Sequence, residues 1–143
     1  MTGLRLDHVG LNVGDLDAMS RWYAAAFDYT VQHRFDLADL DLRIVMLVDS
    51  DGRRFELLQR TETLLGLRAA TPVEAAGTSG YGHVCFVLDD LDSTFARLLE
   101  LGASPVLAPG PAPEEGVRMA WVHDPEHNLI ELITGPRGEA SGR

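Results

Sequence analysis

The sequence predicts an α+β fold made of two tandem βαβββ modules, and three observations carry that prediction. Residues 6–31, LDHVGLNVGDLDAMSRWYAAAFDYTV, lie without gaps over residues 81–106, YGHVCFVLDDLDSTFARLLELGASPV, at an offset of 75. Self-similarity over such a distance marks a duplicated structural unit. Each copy passes from a stretch with apolar residues at alternate positions to one with helical spacing. The offset then returns far downstream, in FELL (55–58) and IELI (130–133).

Each module opens with a strand, over 8–13 and 83–88, and then reaches the same DLD triplet. Asp15 and Asp90 are placed to accept hydrogen bonds from the first turn of a helix. The apolar residues that follow, Leu16, Met19, Tyr23 and Phe27 in one copy and Leu91, Phe95, Leu98 and Leu99 in the other, keep one helical face. Gly102 suits the turn that ends the second helix. Three strands follow each helix, near 29–36, 41–49 and 53–60, then near 104–108, 117–123 and 128–134. Turn formers separate them in DSDG (49–52), APGPAPEEG (108–116) and DPEHN (124–128). The domain organisation is a first module over 1–60, a linker over 61–79, a second module over 80–135 and a flexible tail over 136–143, in one structural unit. Leu64, Leu65 and Leu67 allow the linker a short helical turn that packs over a site.

Composition narrows the function classes. A chain of 143 residues with 45% apolar content can bury one substantial core. No apolar run approaches the roughly 20 residues that span a bilayer, and no basic-then-apolar leader opens the chain, so a cytoplasmic location is expected. A net charge of −10 opposes binding to nucleic acid or to an anionic membrane. Cys85 is the single cysteine, which excludes an internal disulfide and a cysteine-based zinc site. All basic residues are arginine, so Schiff-base chemistry has no lysine to use.

Four residues carry the chemistry. His8 and His83 share the offset of 75 (83 − 8), and so do Glu56 and Glu131 (131 − 56). Strand alternation places His8 opposite Val9, Leu11 and Val13, Glu56 opposite Phe55 and Leu57, His83 opposite Val84, Phe86 and Leu88, and Glu131 opposite Ile130 and Leu132. All four therefore point away from the helix-packed cores. A carboxylate among such apolar neighbours is costly to bury without a partner, and a divalent cation removes that cost. Two imidazoles and two carboxylates suit a single nickel, cobalt, zinc, manganese or iron ion with open coordination positions. A lone strand His or Glu is more often structural, but independent surface residues have no reason to share one offset.

Other residues are weighed against plainer roles. Tyr81 and Cys85 share the face of His83, and Leu129 and Ile133 flank Glu131, so these can line a cavity or simply pack. Cys85 has no cation nearby in sequence to activate it, which favours a small core residue over a nucleophile. Arg43, Arg54 and Arg118 can grip an anionic substrate, though an arginine on a strand is more often a solvated surface residue. His123 and His127 border a turn and read as surface residues; Trp22 and Tyr23 read as core.

These segments resemble the vicinal oxygen chelate superfamily, which includes glyoxalase I, methylmalonyl-CoA epimerase, extradiol dioxygenases and bleomycin resistance proteins. LDHVGLNVGDLDAMSRWYAAAFDY is similar to its opening strand and helix, GYGHVCFVLDDLD to the start of its second module, and WVHDPEHNLIELI to its closing hairpin. The resemblance implies a curved mixed sheet with helices outside and a metal in a concave cavity. The order His8, Glu56, His83, Glu131 is most like bacterial glyoxalase I, a metal-dependent lyase or isomerase acting on a small-molecule carbonyl substrate. By that resemblance Glu131 is the catalytic base and Glu56 its counterpart, and the chain pairs as a homodimer; the strand pattern offers Arg54, Tyr81, Arg118 and Leu129 as substrate contacts. PGPAPEEGVRMAW (109–121) departs from glutathione-using relatives by carrying two glutamates where they carry basic residues. An epimerase or natural-product tailoring enzyme, and a non-enzymatic protein that sequesters a drug or metabolite, are the competing functions.

Overall fold

In a computed structural model of the chain, residues 3–135 are described; the predicted tail over 136–143 lies outside them. The chain divides into two compact units, 1–64 and 65–143, so residues 65–79, most of the predicted linker, group with the second module. No helix among the described residues is long and apolar enough to cross a membrane.

The first unit runs β1 (His8–Asn12), α1 (Leu16–Phe27), β2 (Thr30–Leu37), a 3-10 turn (Ala38–Leu40), β3 (Leu42–Val48) and β4 (Arg54–Gln59). Its sheet has the order β1-β4-β3-β2, with β1 parallel to β4 and the other pairs antiparallel. Helix α1 starts where the DLD triplet says it should, because Asp15 accepts a hydrogen bond from the Ala18 amide at 2.9 Å. Met19, Tyr23 and Ala26 then bury against Val45, Leu47, Phe55 and Leu57, with the Tyr23 and Phe55 ring centres 4.8 Å apart. Each such aliphatic side chain contributes about 1.5–3 kcal/mol by leaving water.

The second unit repeats the plan after one added element. Helix α2 (Pro72–Ala75) precedes β5 (Val84–Val87), α3 (Leu91–Glu100), β6 (Ser104–Pro111), β7 (Arg118–His123) and β8 (Leu129–Thr134). The order β5-β8-β7-β6 repeats that of the first sheet. Asp90 caps α3 through the Ser93 amide, and Gly102 takes φ +97° just past its end. Leu91 and Leu98 of α3 are buried, as are Ala120, Val122, Ile130 and Leu132 of the sheet. Two four-stranded mixed sheets, each with its own crossover helix, make the predicted βαβββ pair.

Two local readings change. Strand β6 continues to Pro111 through residues expected to form a turn, since an edge strand tolerates prolines and bulges; its register against β7 shifts twice. The linker's helical turn is set by Thr71, which caps the Glu74 amide, and by Pro72 in the first turn, whereas Leu64 and Leu65 stay exposed.

Candidate functional site

In the first unit the parallel pairing of β1 with β4 sets His8 beside Arg54 and Gly10 beside Glu56. Glu56 thus lies one step along from His8, and its Oε2 stands 3.5 Å from the His8 Nε2. Gly10 makes room for it: a Cβ there would lie 3.3 Å from that same Oε2. On the other edge of the imidazole, Nδ1 lies 2.7 Å from Asp7 Oδ2. The Arg54 guanidinium donates to that same oxygen at 2.8 Å. The His8 hydrogen bond, followed by the charge of Arg54, holds the Asp7 carboxyl below its usual range. An ionised carboxylate only accepts, so Nδ1 of His8 must donate, and Nε2 is the nitrogen left to face Glu56.

The second unit repeats the central pair and replaces its surroundings. His83 Nε2 stands 3.3 Å from Glu131 Oε2. Cys85 occupies the register position opposite Glu131 that Gly10 holds opposite Glu56. Cys85, expected as a small core residue, is exposed because its strand face is open to solvent; partial burial of the sulfur, and then the negative charge of Glu131, push its thiol up to about 12. It is therefore a hydrogen-bond donor rather than a nucleophile. Gly82 and Leu129 stand, at the offset of 75, where the first unit has Asp7 and Arg54. The His83 ring instead packs edge-on against Trp121, with ring centres 4.7 Å apart. Trp121 and Leu129 are buried with Ala69 and Ala75 of the linker segment. His123 anchors that segment, its Nε2 2.9 Å from the Ala69 carbonyl.

The donor set fits a small divalent ion. Two donors held about 2.1 Å from one cation stand about 3.0 Å apart at a right angle and about 3.4 Å at the tetrahedral angle. The observed 3.5 and 3.3 Å lie near that range. All four side chains keep partial access to solvent, the glutamates 20% and 22% exposed and the histidines 36% and 41%. Among the described residues no group of three or more His, Cys, Asp or Glu gathers as a complete metal-holding cluster, so each unit offers a pair.

A family model, Glyoxalase/Bleomycin resistance protein/Dioxygenase superfamily, matches residues 5–132. The chain belongs to this superfamily. It is 24% identical over 140 residues to a probable lactoylglutathione lyase of Vibrio cholerae, covering 98% of this chain and 97% of that one. A glyoxalase family protein from Bacillus cereus superposes with a TM-score of 0.75 at 24% identity, over 96% of this chain and 99% of that one. A glyoxylase/bleomycin resistance protein/dioxygenase domain from a Frankia species gives 0.74 at 22%, over 93% and 98%. At these identities the structural likenesses speak for the fold.

Within this superfamily member the remaining candidates separate. Arg118 makes a two-pronged ion pair with Asp92 at the start of α3, at 2.5 and 3.0 Å. Arg43 pairs with Asp17 at 3.1 Å, and both members of this pair lie 75 residues before their counterparts. The second aspartate of each DLD triplet therefore ties helix to sheet, a repeat that the sequence reading passed over. Arg54 holds Asp7, Tyr81 is fully exposed and Leu129 is buried. His123, expected at the surface, is half-buried because it binds the linker; His127 is exposed, and Trp22 and Tyr23 are core as expected.

Proposed function

We propose that the chain is a metal-dependent lyase or isomerase of the glyoxalase I type, in which His8, Glu56, His83 and Glu131 together hold one divalent ion and the functional particle is a cytoplasmic homodimer. The observation that carries this reading is the His–Glu pair, repeated at one offset with nearly one geometry, 3.5 Å and 3.3 Å. When bound, the ion would stabilise negative charge developing on a substrate carbonyl oxygen and so make the neighbouring C–H more acidic. Glu131 takes the proton from that carbon and returns it to the adjacent one, a task its partial exposure and its Cys85 hydrogen bond suit. Glu56 is its counterpart on the first unit. His8 and His83 would hold the ion beside the two carboxylates.

The substrate class is the α-hydroxycarbonyl adduct of a thiol with a 2-oxoaldehyde. Glu114 and Glu115 in the loop before β7, together with the commitment of Arg118 to Asp92, favour a thiol other than glutathione. Metal analysis of purified protein, followed by solvent-deuterium exchange on adducts of several thiols, tests the reading. Exchange should require the metal and fall about 10²–10⁴-fold in Glu131→Gln. Metal-dependent exchange that survives that substitution removes Glu131 as the base, and tight ligand binding without turnover removes the enzyme.

A further inference from the structure

The two histidines are held by different means, and the difference has a chemical consequence for the first. His8 has a carboxylate on its Nδ1 at 2.7 Å, and that carboxylate is clamped by Arg54 at 2.8 Å. Among the described residues no hydrogen-bond partner meets Nδ1 of His83, whose neighbours at the corresponding positions are Gly82 and Leu129. A Cβ at Gly82 would meet that of Ala75 in α2 at an ordinary 3.8 Å, so the absence of a carboxylate there reflects the sequence and not crowding. The clamp is therefore a feature of one unit and not a by-product of the repeat.

We infer that Asp7 is a positioning residue for His8, with Arg54 as its brace: together they fix the His8 ring in the Nδ1–H form and aim the Nε2 lone pair at the metal position beside Glu56. The inference rests on the metal reading of His8 and Glu56 given above, and adds to it Asp7 and a bracing role for Arg54, which act on the ring through its Nδ1 edge. Its physical basis is the acceptor-only character of the carboxylate. With Asp7 ionised by Arg54, the Nδ1–H tautomer gains a charge-assisted hydrogen bond that the Nε2–H tautomer cannot make. A free imidazole has no such bias, and a ring that must change tautomer or turn before binding a cation binds it more weakly. The first unit then supplies the pre-set ligand of the centre. The His83 ring, beside Glu131 and the edge of Trp121, has no such brace on its Nδ1 among the described residues.

Two readouts on the full-length protein test this without reference to turnover. In metal-free protein, long-range nitrogen–proton correlation should show His8 as the Nδ1–H tautomer, and Asp7→Ala should move it toward Nε2–H while His83 is unchanged. In parallel, competition titration with cobalt(II) should show affinity falling about 10–100-fold in Asp7→Ala and Asp7→Asn, with a smaller loss in Arg54→Gln. An unchanged His8 tautomer, or unchanged cobalt affinity beside a measurable wild-type affinity, overturns the positioning role. If wild-type protein binds no cobalt at all, the metal reading fails, while the tautomer experiment still decides whether Asp7 orients the ring.

Discussion

The first unit surrounds its His–Glu pair with charge, and the second surrounds the same pair with apolar surface. Around His8 and Glu56 stand Asp7, Arg54 and the gap left by Gly10. Around His83 and Glu131 stand Trp121, Leu129, the linker alanines and the thiol of Cys85. Duplication fixed the two His–Glu pairs, and divergence at the neighbouring positions gave each half a different way of holding them. Hydrogen bonds set the orientation of a ring, whereas packing restricts its position and leaves its protons free.

The largest test of that contrast exchanges the neighbours. Leu129→Arg places an unpaired guanidinium in the cluster of Trp121, Ala69 and Ala75, where Leu129 is 5% exposed. It should cost roughly 3–5 kcal/mol, read as a shifted urea midpoint together with new protease sensitivity in residues 65–79. The reverse exchange, Arg54→Leu, should move the midpoint little, because the ion pair it breaks is with an exposed Asp7 and the buried Nε it removes has no hydrogen-bond partner among the described residues. Equal losses from the two exchanges would mean that the halves are held alike.

A second test uses Cys85, which has glycine as its counterpart in the first unit. With its thiol pushed up to about 12 by burial and then by Glu131, alkylation by iodoacetamide at neutral pH should be far slower than for a free cysteine. Glu131→Gln removes the nearby negative charge and should speed it. Rapid labelling of the unmodified chain would break the assignment of Cys85 as a donor to Glu131.

The smallest effect concerns what the halves share. Hydrogen bonds and charge from Arg43 lower the pKa of Asp17, and those from Arg118 lower that of Asp92. For a carboxyl whose folded value is depressed, the added stability is complete above its unfolded value, near 3.8, and is lost as the pH falls below it through the folded value. Unfolding measured against pH should therefore be unaffected by these pairs above about pH 5 and steepen below about pH 4. Asp17→Asn and Asp92→Asn should each flatten that acid limb to a similar extent. A response in only one of them would show that this part of the repeat has also diverged.

Much of the fold and of the candidate site was legible because alternation, capping and duplication are local or periodic signals. The DLD triplets marked both helix starts, and the shared offset singled out His8, Glu56, His83 and Glu131 before any coordinates. The strand over the prolines of 108–111 was not legible, because whether a proline is tolerated depends on lying at a sheet edge, which is a property of strand order. Nor were the partners of the arginines. Arg43, Arg54 and Arg118 look alike in sequence, and only folding puts Asp17, Asp7 and Asp92 within reach of them. The sequence by itself thus determined the modules and the residue types that could bind a cation. Tertiary structure alone decided the spacing of each His–Glu pair, the clamp on His8 and the seat of the linker on Trp121, since these depend on contacts between segments tens of residues apart.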